Sequence, residues 1–312
     1  MKIYEDLSRV TKDKKTVITL GTFDGIHCGH RKILETVKSK AVSINGRSFL
    51  ITFNPHPRYV LSGNNRPGLL TTHREKIDLL KSSGIENILV INFTPEFSQL
   101  SPESFVKDFM VEGLGLSEII IGTDHHFGKG RGGDIQTLKE MGNHYGFVVD
   151  SVEPLSIDGE IVSSTKIRKA ISEGDILKAN KFLGRKYSFS GRVVEGDKRG
   201  RKLGFPTANI KMESSEKLLP ALGIYVVEFI LSDIKYYGLL SVGKRPTFYA
   251  SGETIPEVYV FDFDHEIYGS FVTVNLIERL RGEEKFSSAE ELISQMNKDK
   301  ENGLKILESL VN

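Results

Sequence analysis

Along the first 183 residues, short apolar runs alternate with segments whose apolar positions recur at helical spacing. The runs occupy residues 17–20, 49–53, 88–93, 119–121 and 147–149, and each reads as a strand. Two of the intervening helices carry start signals. Thr72-His-Arg-Glu75 fits a capping box ahead of Ile77, Leu79 and Leu80. Ser101-Pro102-Glu103 supplies a capping hydroxyl, a proline at the first helical position and then an acid. Strand–helix alternation of this kind predicts an α/β domain on a parallel sheet, with ligands gathered at the carboxyl ends of its strands.

Beyond Leu183 the rhythm changes to short strands separated by turn signals, at residues 187–194, 224–230, 236–242, 258–263 and 271–276. That spacing predicts a small antiparallel barrel or sandwich. A closing amphipathic helix is expected to start near Ser287 or Ser288 and to carry Leu292, Ile293 and Met296. No Pro- or Ser-rich linker separates the halves, so a tight junction is expected near Gly184-Arg185, with domains 1–184 and 185–312.

Composition narrows the partners. Of 312 residues, 42 are Lys or Arg and 41 are Asp or Glu, so no global field recruits nucleic acid or an anionic membrane. No apolar run approaches the ~18 residues of a membrane span. The segment MKIYEDLSRVTKDKK lacks the apolar core of a signal peptide. Cys28 is the only cysteine, which excludes an intramolecular disulfide and suits a reducing cytoplasm. The expectation is a soluble cytoplasmic protein, a monomer or weak oligomer, that works on small molecules.

The segment Gly21-Thr-Phe-Asp-Gly-Ile-His-Cys-Gly-His30 joins the first of these strands to a helical stretch. Helix N-termini attract phosphate through unpaired N–H groups, and glycine lets the backbone approach it closely. His27 and His30 placed there suit a phosphate that gains charge during reaction, which points to nucleotidyl transfer. The alternatives are two surface histidines or a metal site, although the further ligands that zinc needs are missing nearby. His125 and His126 would bring the imidazoles to four, but adjacent histidines usually point apart.

Three more segments of the first half carry candidate contacts. Thr52-Phe-Asn-Pro-His-Pro57 is a turn stiffened by prolines, in which His56 is either a ligand contact or a surface residue. Residues 119–134 form a strand and a basic glycine loop, with a literal G-x-G-x-x-G at Gly128, Gly130 and Gly133. These glycines start well beyond the strand end and late in the domain, so they are not a dinucleotide fingerprint. A mobile loop covering a phosphate with Lys129 and Arg131 fits better, with a plain solvated loop as the alternative. Ile161-Val-Ser-Ser-Thr-Lys-Ile-Arg168 opens a helix, with Ser163 or Ser164 as its cap and Arg168 one turn further on. No P-loop and no Gly-x-Ser-x-Gly elbow occurs, so direct transfer between bound substrates fits better than a covalent intermediate.

In the second half, residues 191–209 combine Gly196, Gly200 and Gly204 with Lys198, Arg199, Arg201 and Lys202 in a basic flap. Pro206-Thr207-Ala208-Asn209 then supplies a hydroxyl and an amide oxygen, neutral hard donors suited to Mg²⁺ beside a triphosphate. An RNA-contacting hairpin is the alternative, though the aromatic interleaving of a single-strand platform is thin. Glu257 opens the next strand, where its carboxylate could orient a substrate hydroxyl and accept its proton. An ordinary surface glutamate is the other reading.

The order and spacing of these segments resemble the bacterial bifunctional riboflavin kinase/FAD synthetase family. The matching segments are GTFDGIHCGH, FNPHP, GTDHHFGKGRGGD and SSTKIR, then FLGR, GDKRGRKLGFPTANI, LPALGIYVV, GKRPTF, EVYVFDFDHEIYG and LRGEEKF. The resemblance implies a Rossmann-like nucleotidyltransferase domain followed by a β-barrel of the riboflavin kinase type. It implies ATP-dependent phosphorylation of riboflavin to FMN by the second domain, and adenylylation of FMN to FAD by the first, with Mg²⁺ required. Carried over by motif, His27 and His30 would stabilise the α-phosphate, and Gly21, Phe23 and Asp24 would shape the ATP pocket. Asp124, Ser164, Thr165 and Arg168 would complete the nucleotide and phosphate contacts. In the kinase domain, Gly196, Arg199, Gly200, Gly204, Phe205 and Pro206 would line the ATP and flavin site. Thr207 and Asn209 would hold Mg–ATP, and Glu257 would act as base. Two departures stand out: His125 replaces an aromatic common in the family, and Lys186 replaces a common proline and is expected to loosen the junction.

Overall fold

The computed structural model describes residues 1–63, 66–123, 126–196, 200, 203–243 and 256–310. The chain divides into two compact units, 1–163 and 164–312.

The first unit is built on six parallel strands: β1 (Lys2–Tyr4), β2 (Thr16–Leu20), β3 (Arg47–Asn54), β4 (Asn87–Asn92), β5 (Leu116–Gly122) and β6 (Val148–Val152). Their order across the sheet is β1-β4-β3-β2-β5-β6. Side chains alternate between faces along a strand, and both faces are covered. Ile18, Phe49, Ile51, Leu89 and Ile119 enter one core, with Phe105, Val106, Met110 and Leu138. Val17, Leu50, Ile88, Val90 and Ile120 enter the other, with Leu34, Val37 and Leu80. Burial on both faces explains why these strands read as unbroken apolar runs.

The helices of this unit are α1 (Cys28–Ser43), α2 (Pro57–Leu61), α3 (His73–Lys81), α4 (Pro102–Ser104) and α5 (Ile135–Tyr145). Both predicted start signals form. Thr72 and Glu75 complete a capping box, and the Ser101 hydroxyl accepts from the Ser104 N–H. α4 runs on as a π-helix over Phe105–Leu114, which ends at left-handed Gly115. A two-stranded hairpin, β7 (Ser156–Ile157) and β8 (Glu160–Ile161), closes the unit.

The second unit opens with α6 (Ser164–Glu173) and α7 (Ile176–Leu183). These helices join the strands that follow: the Ala221 N–H donates to the Ile171 carbonyl (3.1 Å), and Asn180 Nδ2 donates to Leu276 O (2.9 Å). Six strands form a closed antiparallel barrel, so the barrel alternative of the sequence pattern is the one realised. They are β9 (Ser188–Val194), β10 (Ala208–Met212), β11 (Gly223–Leu231), β12 (Ile234–Val242), β13 (Glu257–Val260) and β14 (Phe271–Arg281), in the order β10-β13-β12-β11-β14-β9. β13 stops at Val260 rather than at residue 263, and Asp262 takes a left-handed φ of 50°.

The last helix, α8 (Ala289–Ser309), is capped by Ser288 and packs Ile306 and Leu307 against Val226, Leu239, Phe261 and Ile277. Arg281 ties it down, with Nη2 2.8 Å from Asp299 Oδ2 and Nε 3.0 Å from Oδ1. Lys186, expected to loosen the junction, is paired within the barrel. Its Nζ lies 2.5 Å from Oε1 of Glu228, a buried carboxylate that also accepts from Lys235 and Asn275. Burial raises the Glu228 pKa, but these donors outweigh it and hold the carboxyl below its ordinary value.

Candidate active sites

β2 is flanked by β3 on one side and β5 on the other, so the chain winds away from it in both directions. The carboxyl ends of β2 and β5 therefore form the topological switch point, where open α/β sheets bind ligands. The 21–30 segment leaves β2 at that place. His27 caps α1, its Nδ1 accepting the His30 N–H at 3.2 Å. Accepting at Nδ1 puts the proton of the neutral ring on Nε2. Gly29 permits this fold-back, since a Cβ there would lie 3.2 Å from His27 Nδ1.

Three rings stack in a column: Phe23 to His30 at 4.9 Å between centroids, and His30 to His27 at 3.6 Å and 14°. His27 is buried, and the Nδ1 of partly exposed His30 is buried without a hydrogen-bond partner. Burial, with His27 close by, holds the His30 imidazole well below its ordinary pKa of 6.5. The column is therefore neutral around His30 at pH 7, at the N-terminal turn of a 16-residue helix.

The backbone of this segment is strained. Phe23 (φ 47°) and Ile26 (φ 38°) are left-handed without being glycine, at about 1–3 kcal/mol each. The start of α3 holds them. Asp24, 3 % exposed, accepts from Leu70 N (3.0 Å), Thr71 N (2.9 Å) and Thr71 Oγ1 (3.0 Å), while the Gly25 N–H donates to Thr71 Oγ1 (3.0 Å). Asp24, expected to shape the ATP pocket, thus has its carboxylate engaged in fixing the turn. Lys76, only 7 % exposed, donates to the Thr22 carbonyl (3.3 Å), Thr52 Oγ1 (3.3 Å) and the Phe53 carbonyl (3.0 Å). Burial pushes its ammonium down to about 8, against the pull of Asp24. Lys76 went unnoticed in the sequence, where it reads as one more charge in a capped helix.

The other expected contact residues take the following places. His56 caps α2, its Nδ1 accepting from Arg58 N at 3.1 Å, which matches the rigid-turn reading; the Asn54–Pro55 peptide is cis. The glycine loop is closed by a Phe127–Gly133 bridge with N···O distances of 2.9 and 3.0 Å, and Lys129 N donates to Leu100 O. Gly21 lies under the Phe23 ring, where a Cβ would come within 3.1 Å. Ser164 and Thr165 open α6 and Arg168 lies a turn on, all within the second unit. Asp124, His125, Lys198, Arg199, Arg201, Lys202 and the GKRPTF segment from Lys244 onward lie outside the described residues. Among the described residues, no three His, Cys, Asp or Glu side chains form a group able to hold a metal ion.

In the barrel, sequence-distant residues meet. Asn209 on β10 is the register partner of Glu257 on β13, and the hydroxyl of Thr207 donates to Glu257 Oε2 at 3.0 Å. Asn209 is buried, and its amide occupies the space above Gly196, where a Cβ would lie 2.7 Å from Oδ1. The Gly200 carbonyl accepts from Leu203 N (3.0 Å) and Phe205 N (2.9 Å), which holds Phe205 back against Gly200 ahead of Thr207, with Gly204 left-handed at φ 84°. Phe205 is buried edge-on against Tyr259, and Pro206 stays exposed. A hydroxyl, an amide and a carboxylate thus share one face of the β10–β13 seam.

These features define a chain of two modules, an α/β unit with its loops at a switch point and a closed barrel with a polar seam. A family model for FAD synthetase matches residues 9–166, and one for riboflavin kinase matches residues 183–307. Relatives named bifunctional riboflavin kinase/FMN adenylyltransferase match along both modules. The one from Buchnera aphidicola (subsp. Schizaphis graminum) is 38 % identical over 303 residues, 96 % of each chain. That from Bacillus subtilis is 35 % identical over 300 residues, 95 % of this chain and 94 % of the relative. That from Escherichia coli K12 is 34 % identical over 284 residues, covering 91 % and 90 %. A crystal structure described as a macrolide-efflux protein from Streptococcus pneumoniae superposes with a TM-score of 0.86 at 32 % identity, over 96 % of this chain and 97 % of that one. Among the described residues, no helix is long and apolar enough to cross a membrane. The chain belongs to the bifunctional riboflavin kinase/FMN adenylyltransferase family.

Proposed function

We propose that the chain performs two successive phosphate transfers: ATP-dependent phosphorylation of riboflavin to FMN in the barrel module, then adenylylation of FMN to FAD in the α/β module. The observation that carries this reading is that each family match falls on a module with its own formed polar site.

In the barrel, Glu257 orients the 5′-hydroxyl of riboflavin and accepts its proton as the γ-phosphoryl of ATP is transferred. Bond formation to the nucleophile is late in such transfers, so a weak base suffices. The Thr207 hydroxyl, bonded to Glu257 Oε2, keeps that carboxylate in place. The Thr207 and Asn209 oxygens are neutral hard donors beside a carboxylate, a set that fits Mg²⁺ carried with a triphosphate. Glycine at 196 leaves the room the Asn209 amide needs. When bound, Mg²⁺ would neutralise charge on the phosphates.

In the α/β module, an oxygen of the FMN phosphate attacks the α-phosphorus of a second ATP, the α–β bridging bond breaks and pyrophosphate leaves. His27 donates from Nε2 to the α-phosphate. His30, neutral before binding, gains a proton more readily as phosphate charge arrives, because an opposite charge favours the ionised form. In this reading the chain works on small molecules in the cytoplasm, as a monomer or weak oligomer.

The test supplies riboflavin, ATP and Mg²⁺ and resolves flavins by chromatography. The wild-type chain should give FMN and then FAD. His30→Ala should accumulate FMN, and Glu257→Gln should lose FMN formation yet make FAD from supplied FMN. A folded variant that lost both activities together would overturn this division of labour.

A further inference from the structure

Lys76 is the most deeply buried cation at the carboxyl edge of the sheet among the residues described above, and its position there is not explained by helix α3 alone. Its three N–H bonds meet three oxygens from two different strand ends: Thr22 O beyond β2, and Thr52 Oγ1 and Phe53 O at the end of β3. Thr52 Oγ1 itself donates to Thr22 O at 3.2 Å, so the three acceptors are already linked. A buried ammonium survives only where every donor is used. An amine has one donor fewer, and an apolar side chain has none. Either would weaken the link between the Thr22 and Phe53 carbonyls, beside the left-handed Phe23.

Resting on the reading of His27 and His30 as phosphate-binding groups, we propose that Lys76 is a positioning residue for adenylyl transfer. Its buried ammonium joins the Thr22 and Phe53 carbonyls, and so keeps the turn that carries Phe23 and His27 in one register against the 52–57 loop. The role is separate from that of Asp24. Asp24 grips the turn through Leu70 and Thr71, ahead of α3, whereas Lys76 ties it sideways to the neighbouring strand. The ring column depends on that register. Phe23 sits one residue beyond the Thr22 carbonyl, and His30 is clasped between Phe23 and His27. The charged groups that face Lys76 are Asp24 from the turn and His73 on its own helix; Thr22, Thr52 and Phe53 bring no titrating group.

The experiment uses the full chain with Lys76→Met and Lys76→Arg, and follows both reactions over pH 6 to 10. FMN formation from riboflavin reports on the other module and serves as an internal control. Lys76→Met should lower kcat for FAD formation at least tenfold, with KM for ATP and FMN within threefold and FMN formation unchanged. Wild-type FAD formation should fall above pH 8 as the Lys76 ammonium loses its proton. That fall should be absent in Lys76→Met and moved upward in Lys76→Arg, and a wild-type profile flat to pH 10 overturns the proposal. A folded Lys76→Met with FAD kcat within twofold of wild type overturns the proposal, as does an effect confined to KM. If Lys76→Met cannot keep the first module folded, Lys76→Arg decides. Recovered FAD formation with the alkaline fall moved upward supports the proposal, and an unmoved fall overturns it. His30→Ala separates the two levels: if it leaves FAD formation intact, the site reading itself fails. If it abolishes FAD formation while Lys76→Met does not, only the role of Lys76 fails.

Discussion

Asp24→Asn is the sharpest perturbation of the strained turn, because it keeps the shape and removes only charge and one acceptor. The carboxylate uses Oδ1 for Thr71 N and Thr71 Oγ1, and Oδ2 for Leu70 N. An asparagine can keep one of these oxygens. Its amide NH₂ then faces a backbone N–H, donor against donor, in a site 3 % exposed. Losing a hydrogen bond to a charged group costs about 1.5–3 kcal/mol, and stranding a buried N–H costs about 1–3 more. The carboxylate that opposes the desolvation of Lys76 disappears as well. The two together span about 2.5–6 kcal/mol, centred on the range of about 3–5 kcal/mol expected for breaking a buried charged arrangement. For a unit of this size that corresponds to roughly 6–20 °C in melting temperature. The assay heats aliquots of the full chain, cools them, and measures residual FAD formation from FMN and residual FMN formation from riboflavin separately. The FAD-forming midpoint should drop by that amount while the FMN-forming midpoint stays. A drop under 2 °C, or equal drops in both activities, would refute the reasoning.

Two further outcomes follow from the same physics. His30 has a folded pKa well below 6.5, so the stability it contributes is present above pH 6.5 and is lost as pH falls through the folded value. Acid titration of the first unit, followed by circular dichroism, should show a stability loss below pH 6.5 that is reduced in His30→Gln; an identical slope in both proteins would count against a buried neutral imidazole. In the barrel, Asp299→Asn leaves Arg281 without its carboxylate, against distances of 2.8–3.1 Å in the native pair. The partner is a largely buried guanidinium, so the loss should be about 3 kcal/mol. FMN formation should then inactivate at lower temperature, with FAD formation from supplied FMN unchanged.

The parallel sheet was legible because β2, β3, β4 and β5 are buried on both faces, and an unbroken apolar run leaves little else to infer. Capping chemistry was legible for the same local reason: Thr72, Ser101 and Ser288 act within their own turn. β1 and β10 escaped notice. Lys2–Tyr4 is a three-residue edge strand, and Ala208–Met212 carries Asn209 and Lys211, so the sheet partners and not the sequence make them strands. The His27/His30 pair was found as chemistry but not as a ring column, since stacking depends on how the turn folds back over Gly29. Asn209 and Glu257 were found as separate candidates; their meeting depends on a register between strands 48 residues apart in the chain. Lys76 was hidden because burial of a helical lysine is decided by strand ends from elsewhere in the sheet.

The seam that unites Asn209 with Glu257 has a mechanical consequence. Among the described residues, the β10–β13 ladder has two register pairs, Ala208↔Val258 and Asn209↔Glu257, whereas the β11–β12 ladder elsewhere in the barrel has nine. The barrel therefore closes on its shortest ladder, and the polar cluster sits on that closure. Short ladders open most readily, so a ligand that bridges Asn209 and Glu257 would also latch the barrel shut. Amide hydrogen exchange at residues 208–210 and 257–258 thus becomes a clock for occupancy, slowing as the site fills while the β11–β12 amides keep their pace.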